Sequence, residues 1–477
     1  VGKDASDTPF IPRYSNYVWL TVIVFVLNGC ATTQTPVVIT ASLLTEETSI
    51  VVPVNAQPPT ETEPQNEIIS TPTSLATATP QKSPSVIPTA SPTQTSTAAP
   101  LPSVLAVDER LLIFEEVWRT VASNYLYEDF RGVDWDEMYE LYQPQIKDSE
   151  TSEQFYSLIG EMIDQLDDQH SRFLPPSNAN IQDASTIGYD ASVGIGVVTQ
   201  PKADGAFIQW VYPDSPAARA DLRPRDRIIA VNGRPYNPQD GDLQGPDSTT
   251  VRLNVIRPGD KPRDVVLIRQ EIQGRISPYY RRFPDDIGYV MVPTLWVNDM
   301  DEQVSGALTE LMAEGRLRGL ILDLRGNGGG WSKVLSGILG HFVRGQVGTF
   351  ISPNGMRPLV IEPAAGPDLR GIPVVVLIDS GTASYAELIA AILQNEMGAL
   401  AVGTPSAGNT ETIYAYTLRD GSRLWLAQES FKLQNGQNLE GLGVQPDSLI
   451  DIDWTHYSEE DDPQLLEALH LLGAGPK

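Results

Sequence analysis

The sequence predicts a multidomain α+β protein: a small helical domain, an inserted β-rich domain, and an α/β core built on a mixed sheet. Three observations predict it. Apolar and aromatic residues recur at helical spacing within 106–185, short β-rich runs separated by turn residues fill 186–272, and strand–turn–helix units alternate through 273–477. A chain of 477 residues has room for about three domains of the usual ~100–200 residues.

Each region carries its own signal. Leu112, Phe114, Val117, Trp118 and Val121 recur at helical spacing, and Trp135, Met138, Tyr139 and Tyr142 do so again, so these aromatics predict a core rather than a ligand box. The helical domain closes with L-D-D-Q-H-S-R-F-L-P-P, Leu166 to Pro176. The β-rich region runs through G-I-G-V-V (Gly194 to Val198), D-S-P-A-A-R-A-D-L (Asp214 to Leu222), D-R-I-I-A-V-N-G (Asp226 to Gly233) and V-R-L-N-V-I-R-P-G (Val251 to Gly259). In the core, Ile287 to Val292 reads as a strand and Asp301 to Gly315 as a helix. Leu317 to Leu324 is a buried strand entering R-G-N-G-G-G, and Ile372 to Asp379 is an apolar strand entering G-T-A-S-Y-A-E and a helix over Tyr385 to Asn395.

The first 105 residues are of another kind. An apolar run, Val18 to Leu27, is followed by L-N-G-C, Leu27 to Cys30, which resembles a bacterial lipoprotein box. The run is about 10 residues, well short of the ~20 that span a bilayer, so residues 1–30 are expected to be a lipoprotein signal peptide with Cys30 as the lipidated residue. Residues 31–105, rich in Thr, Pro and Ser, cannot bury enough apolar surface to fold and read as a disordered linker. This predicts an extracytoplasmic protein that meets the membrane through its lipid anchor only. A net charge of −28 repels nucleic acid and points to a polypeptide or small-molecule partner. A single cysteine excludes a disulfide framework and a zinc site built on several thiolates.

The chemistry centres on Ser384, at a turn between a buried strand and a helix N-terminus. Small neighbours let its hydroxyl project, and the helix dipole favours a developing oxyanion. A serine there also suits a plain N-cap. The glycine run 328–330 favours the first role, because it lets the Gly329 N–H approach a carbonyl, with the Tyr385 N–H as second donor. Phosphate binding is a poorer reading of that run, since no Lys-Ser/Thr follows it in P-loop register.

These segments resemble the C-terminal processing peptidases and their tricorn-type relatives, and the β-rich region resembles a PDZ domain of the permuted bacterial type. The likeness extends to G-T-P-S-A-G and to E-G-L-G-V-Q-P-D, Glu440 to Asp447. It implies a ClpP/crotonase-like peptidase core, no metal or cofactor, and endoproteolysis of extended or unfolded polypeptides. It also implies that the C-termini of those polypeptides dock at Val193, Gly194, Ile195 and Gly196, with the next strand open to β-augmentation. One departure stands out. Where the processing peptidases carry a base lysine in G-K-G and a glutamine four residues on, this chain has Asn409 and Ile413, and Asn409 cannot accept a proton. After Ser277 only Lys333, Lys432 and Lys477 remain. By resemblance to tricorn-type relatives, His170 becomes the base, and Glu440 either orients it or caps a turn. The alternative is a pseudo-peptidase that binds exported tails without cutting them.

Overall fold

The structure, a computed structural model, describes residues 105–186, 193–272 and 274–474. Cys30 and the Thr/Pro/Ser-rich segment up to residue 104 lie outside the described residues. Among those described, no helix is long and apolar enough to cross a membrane.

The core rests on a six-stranded mixed sheet in the order Tyr279–Phe283, Ile287–Met291, Gly319–Asp323, Val374–Ile378, Leu400–Gly403, Ser448–Leu449. The first pair is antiparallel and the others parallel. Gly319–Asp323 and Val374–Ile378 are buried at every position, as central parallel strands covered on both faces must be. Helices Met300–Ala313, Ser332–Leu339 and Tyr385–Met397 cover one face through Val304, Leu308, Ile338, Leu388 and Ile392. Helix Pro463–Leu471 covers the other through Leu465 and Ala468. His341 lies just past helix Ser332–Leu339. The helix stops at Leu339, and the buried ring meets the Pro367 carbonyl at 2.8 Å.

A second sheet joins the helical domain to this core. Its long strand, Arg423–Leu433, pairs with Arg172–Leu174 at one end, with Gly345–Ser352 at the other, and with Thr412–Thr417 along its flank. Helices Val107–Asn124, Trp135–Asp148 and Ser152–Asp164 bury Ile113, Phe114, Val117, Trp135 and Ile159 among themselves, and the same cluster takes in Leu424, Leu426 and Ala427 of that strand. Each fully buried side chain of this size contributes about 1.5–3 kcal/mol, so the cluster fixes the helical domain on the core. Phe173 stands opposite Leu424 in the ladder, which carries the Leu166 to Pro176 segment to the core's edge.

The β-rich domain is an antiparallel sheet ordered Val197–Lys202, Gly205–Val211, Arg227–Val231, Thr250–Ile256, Arg263–Ile268, with its own core of Ile208, Ile228, Val251 and Val255. Asp221 and Arg225 adopt φ of +57° and +76°, glycine-like angles held by non-glycine residues. This domain seats on the core beside the glycine loop. Gln209 Nε2 donates to the Gly326 carbonyl at 3.1 Å, and the Phe207 ring meets Trp454 edge-on at 5.0 Å. Arg225 and the buried Arg325 both donate to Asp462 Oδ2, at 3.0 and 2.9 Å.

Candidate active site

Ser384 occupies φ +56°, ψ −131° immediately before helix Tyr385–Met397. A non-glycine residue in so sparse a region costs about 1–3 kcal/mol, so its surroundings must impose the turn. They do so through its amide, which donates to the Asn409 carbonyl at 2.7 Å and to Glu387 Oε2 at 2.9 Å. The buried Glu387 carboxylate also accepts from Ser406 Oγ at 2.6 Å, Gly408 N at 2.7 Å and Asn409 N at 2.9 Å. Burial pushes its pKa up, and these donors pull it part of the way back. One glutamate thus ties the Ser384 turn to the 406–409 loop. The spacing S-x-x-E was legible in the sequence as a capping-box pattern, though its reach to that loop was not.

Gly329 lies against this turn at φ +86°, where an added Cβ would stand 2.6 Å from Ser384 Cβ, so no other residue fits. Its N–H already donates to Asn327 Oδ1 at 2.9 Å, and Asn327 is anchored in turn on the Val292 carbonyl. The Tyr385 N–H, first in its helix, has no acceptor among the described residues. Of the two expected oxyanion donors, one is unspent and the other holds an internal partner.

His170 stands two residues before Arg172–Leu174 and is 7% exposed. Asp168 sets the approach: its carboxylate accepts the His170 N–H at 2.8 Å, the Ser171 N–H, and the Tyr125 hydroxyl at 2.6 Å. Ring Nε2 lies 3.2 Å from Glu440 Oε1 and 3.4 Å from Glu411 Oε2. The other oxygen of Glu440 accepts from Thr410 N at 2.6 Å, Thr410 Oγ1 at 3.1 Å and Glu411 N at 3.1 Å. Glu411 Oε1 is held by the Tyr127 hydroxyl. Burial alone would lower the pKa of His170, but the Glu440 hydrogen bond and the charges of Glu411, Glu440 and Asp168 outweigh it and hold the pKa above the ordinary value. Burial raises Glu411. It acts the same way on Glu440, whose His170 and Thr410 partners reverse the effect and leave it lowered.

The serine and histidine halves hang from one loop. Asn409 receives the Ser384 amide, and its neighbour Thr410 bonds Glu440, about 3.8 Å of chain away. No hydrogen bond joins His170 to Ser384 Oγ among the described residues; in unliganded sites such bonds are often long and tighten only with substrate. Ile413 lies in the Thr412–Thr417 strand. The lysines are elsewhere: Lys333 is 63% exposed beside Asp301 and Glu302, and Lys432 is exposed on its strand opposite Thr349. His456 and His470 are exposed. His170, Glu411 and Glu440 are also the one group of His, Cys, Asp and Glu side chains among the described residues whose ligand atoms all lie within 4.8 Å of one another, as a cation would need. Sequence reasoning missed Glu411, Tyr127 and Asp168.

At the expected docking segment, the chain's own backbone lies alongside. The Ile195 N–H donates to the Leu243 carbonyl at 3.2 Å, Gly194 bridges to Gln244, and the Gly245 N–H donates to the Val193 carbonyl at 3.1 Å. Gly194, Ile195 and Gly196 line an open cavity of about 210 Å³ together with Tyr236 and Leu243. Strand Val197–Lys202 remains at the sheet edge.

Residues 286–450 match Peptidase family S41, residues 106–164 the Tricorn protease C1 domain, and residues 207–257 a PDZ domain. A carboxyl-terminal-processing protease of Synechocystis sp. is 28% identical over 389 residues, covering 78% of this chain and 89% of that protein. The chain belongs to the C-terminal processing peptidase family. Another relative, the chloroplastic carboxyl-terminal-processing peptidase 2 of Arabidopsis thaliana, is 27% identical over 369 residues, 72% of this chain and 70% of that one. The solved structure of a photosystem II D1 C-terminal processing protease superposes with a TM-score of 0.54 at 27% identity, covering 77% of this chain and 98% of that one. As a C-terminal processing peptidase the chain is a serine-type peptidase with a PDZ domain, the fold expected from its sequence.

Proposed function

We propose that this C-terminal processing peptidase cuts extended or unfolded polypeptides with Ser384 as nucleophile, His170 as general base and Glu440 as the group that orients the base. The observation that carries the reading is the 3.2 Å contact between His170 Nε2 and Glu440 Oε1, residues 270 apart, in a chain whose family lysine is replaced by Asn409. In this mechanism Ser384 Oγ attacks the scissile carbonyl and passes its proton to His170. The imidazolium then protonates the leaving amine, and water hydrolyses the acyl-enzyme by the same route in reverse. The Tyr385 N–H faces the oxyanion, and Gly329 joins it once the oxyanion displaces Asn327 Oδ1.

The finer claims concern place and docking. Cys30 is the lipid attachment point, residues 31–105 are the tether, and the catalytic body works on the extracytoplasmic side. Substrate C-termini dock at Val193 to Gly196 when the Ile195 N–H exchanges Leu243 for a terminal carboxylate, with Val197–Lys202 as the edge for β-augmentation.

The test is cleavage of an unfolded protein by the full chain and by Ser384→Ala, His170→Ala and Lys432→Ala. The first two should lose at least ~10³-fold in kcat/KM and the third almost nothing. Activity in the serine variant would overturn the proposal; activity in the histidine variant alone would overturn the choice of base.

A further inference from the structure

We propose that Glu411, clamped by Tyr127, is a second carboxylate partner of His170 and a positioning residue for it, an inference that rests on the Ser384–His170 reading. The geometry is of two carboxylates, each with one oxygen fixed by the protein and the other turned to the same ring nitrogen. Tyr127 holds Glu411 Oε1, and Thr410 with the Glu411 N–H holds Glu440 Oε2. The remaining oxygens stand 3.4 and 3.2 Å from Nε2. An Nε2–H held between them leaves the ring's lone pair on Nδ1, so Nδ1 is the atom that takes the serine proton.

The origin of Glu411 sharpens the point. It lies two residues beyond Asn409, on the loop where processing peptidases carry their base. Here that loop supplies an acid to a base that arrives from the helical domain. Tyr127 comes from that same domain, 284 residues away in sequence, so the clamp closes only when the helical domain is seated. The charged groups facing His170 are Glu440, Glu411 and Asp168, and neither glutamate has a Lys or Arg ion-pair partner among the described residues. Arg131 lies over the Tyr127 ring at 5.6 Å. Three acids around one imidazole favour its protonated form, so the base is freed only as pH rises.

Two measurements on the full chain test this. In the pH profile of kcat/KM, Glu411→Gln keeps the shape and loses the charge, so the acidic limb should move to lower pH, while Glu411→Asp should leave it nearly in place. A limb that stays put in Glu411→Gln while the rate falls means a structural role only, and overturns the inference. In a Ser384→Ala background, ¹⁵N NMR titration of His170 should show a lower midpoint and loss of the Nε2–H preference on adding Glu411→Gln. An unmoved midpoint overturns the inference whatever the activity does. A moved midpoint together with full activity of His170→Ala leaves the Glu411 contact standing and removes the Ser–His reading beneath it.

Discussion

Both halves of the site use carboxylates that collect backbone amides, but only one is also bridged by side chains from two domains. Around Ser384, the Glu387 carboxylate and the Asn409 carbonyl collect backbone amides from the core alone. Around His170, side chain meets side chain across a domain boundary: Tyr127 with Glu411, and His170 with Glu440. The serine half is therefore as rigid as the sheet beneath it, whereas the histidine half depends on charge and on the helical domain being in place. A nucleophile can be fixed by local backbone; the base proposed here is an assembly product.

The largest effect should come from Glu387→Ala, which strands several buried donors at once. It should cost about 3 kcal/mol or more in urea unfolding, with activity falling in step. Loss of activity with unchanged stability would break the contrast. Asp168→Ala should do the reverse. It removes the acceptor for the His170 and Ser171 amides at about 1–3 kcal/mol, yet lets the ring drift enough to cost about 100-fold in kcat. The contrast should also show in pH. His170 has a raised pKa in the folded state, so its pairing stabilises fully below the unfolded value of about 6.5 and is lost as pH rises through the folded one. The difference in unfolding free energy between the full chain and His170→Gln should shrink across that window; a gap that widens with pH would contradict it. Least affected should be Lys333→Ala, whose exposed pairs are worth about 0.5 kcal/mol or less in a thermal melt.

The same division decides what the sequence could reveal. The Val374–Ile378 strand, the Ser384 turn and the glycine loop are contiguous, so apolar runs and small residues announce them. His170 and Glu440 could be paired only through resemblance to tricorn-type relatives, because nothing local links them. Glu411 and Tyr127 carried no signal at all, since their meeting depends on how the Arg423–Leu433 strand joins the helical domain to the core. The segment Val193 to Gly196 shows a different limit. Glycines at 194 and 196 correctly mark a backbone that close neighbours can approach, but whether the Ile195 N–H is free depends on Leu243, in a segment that composition does not distinguish.

Arg225 adopts φ +76°, a backbone region in which glycine is at ease and other residues are strained. A glycine would relieve the strain, but it would remove the guanidinium that shares Asp462 with Arg325 and lies over Trp454. A PDZ domain transplanted from a glycine-bearing relative would therefore fold readily and still sit loosely on this core. Residue 225 thus bears on which such domains are interchangeable here.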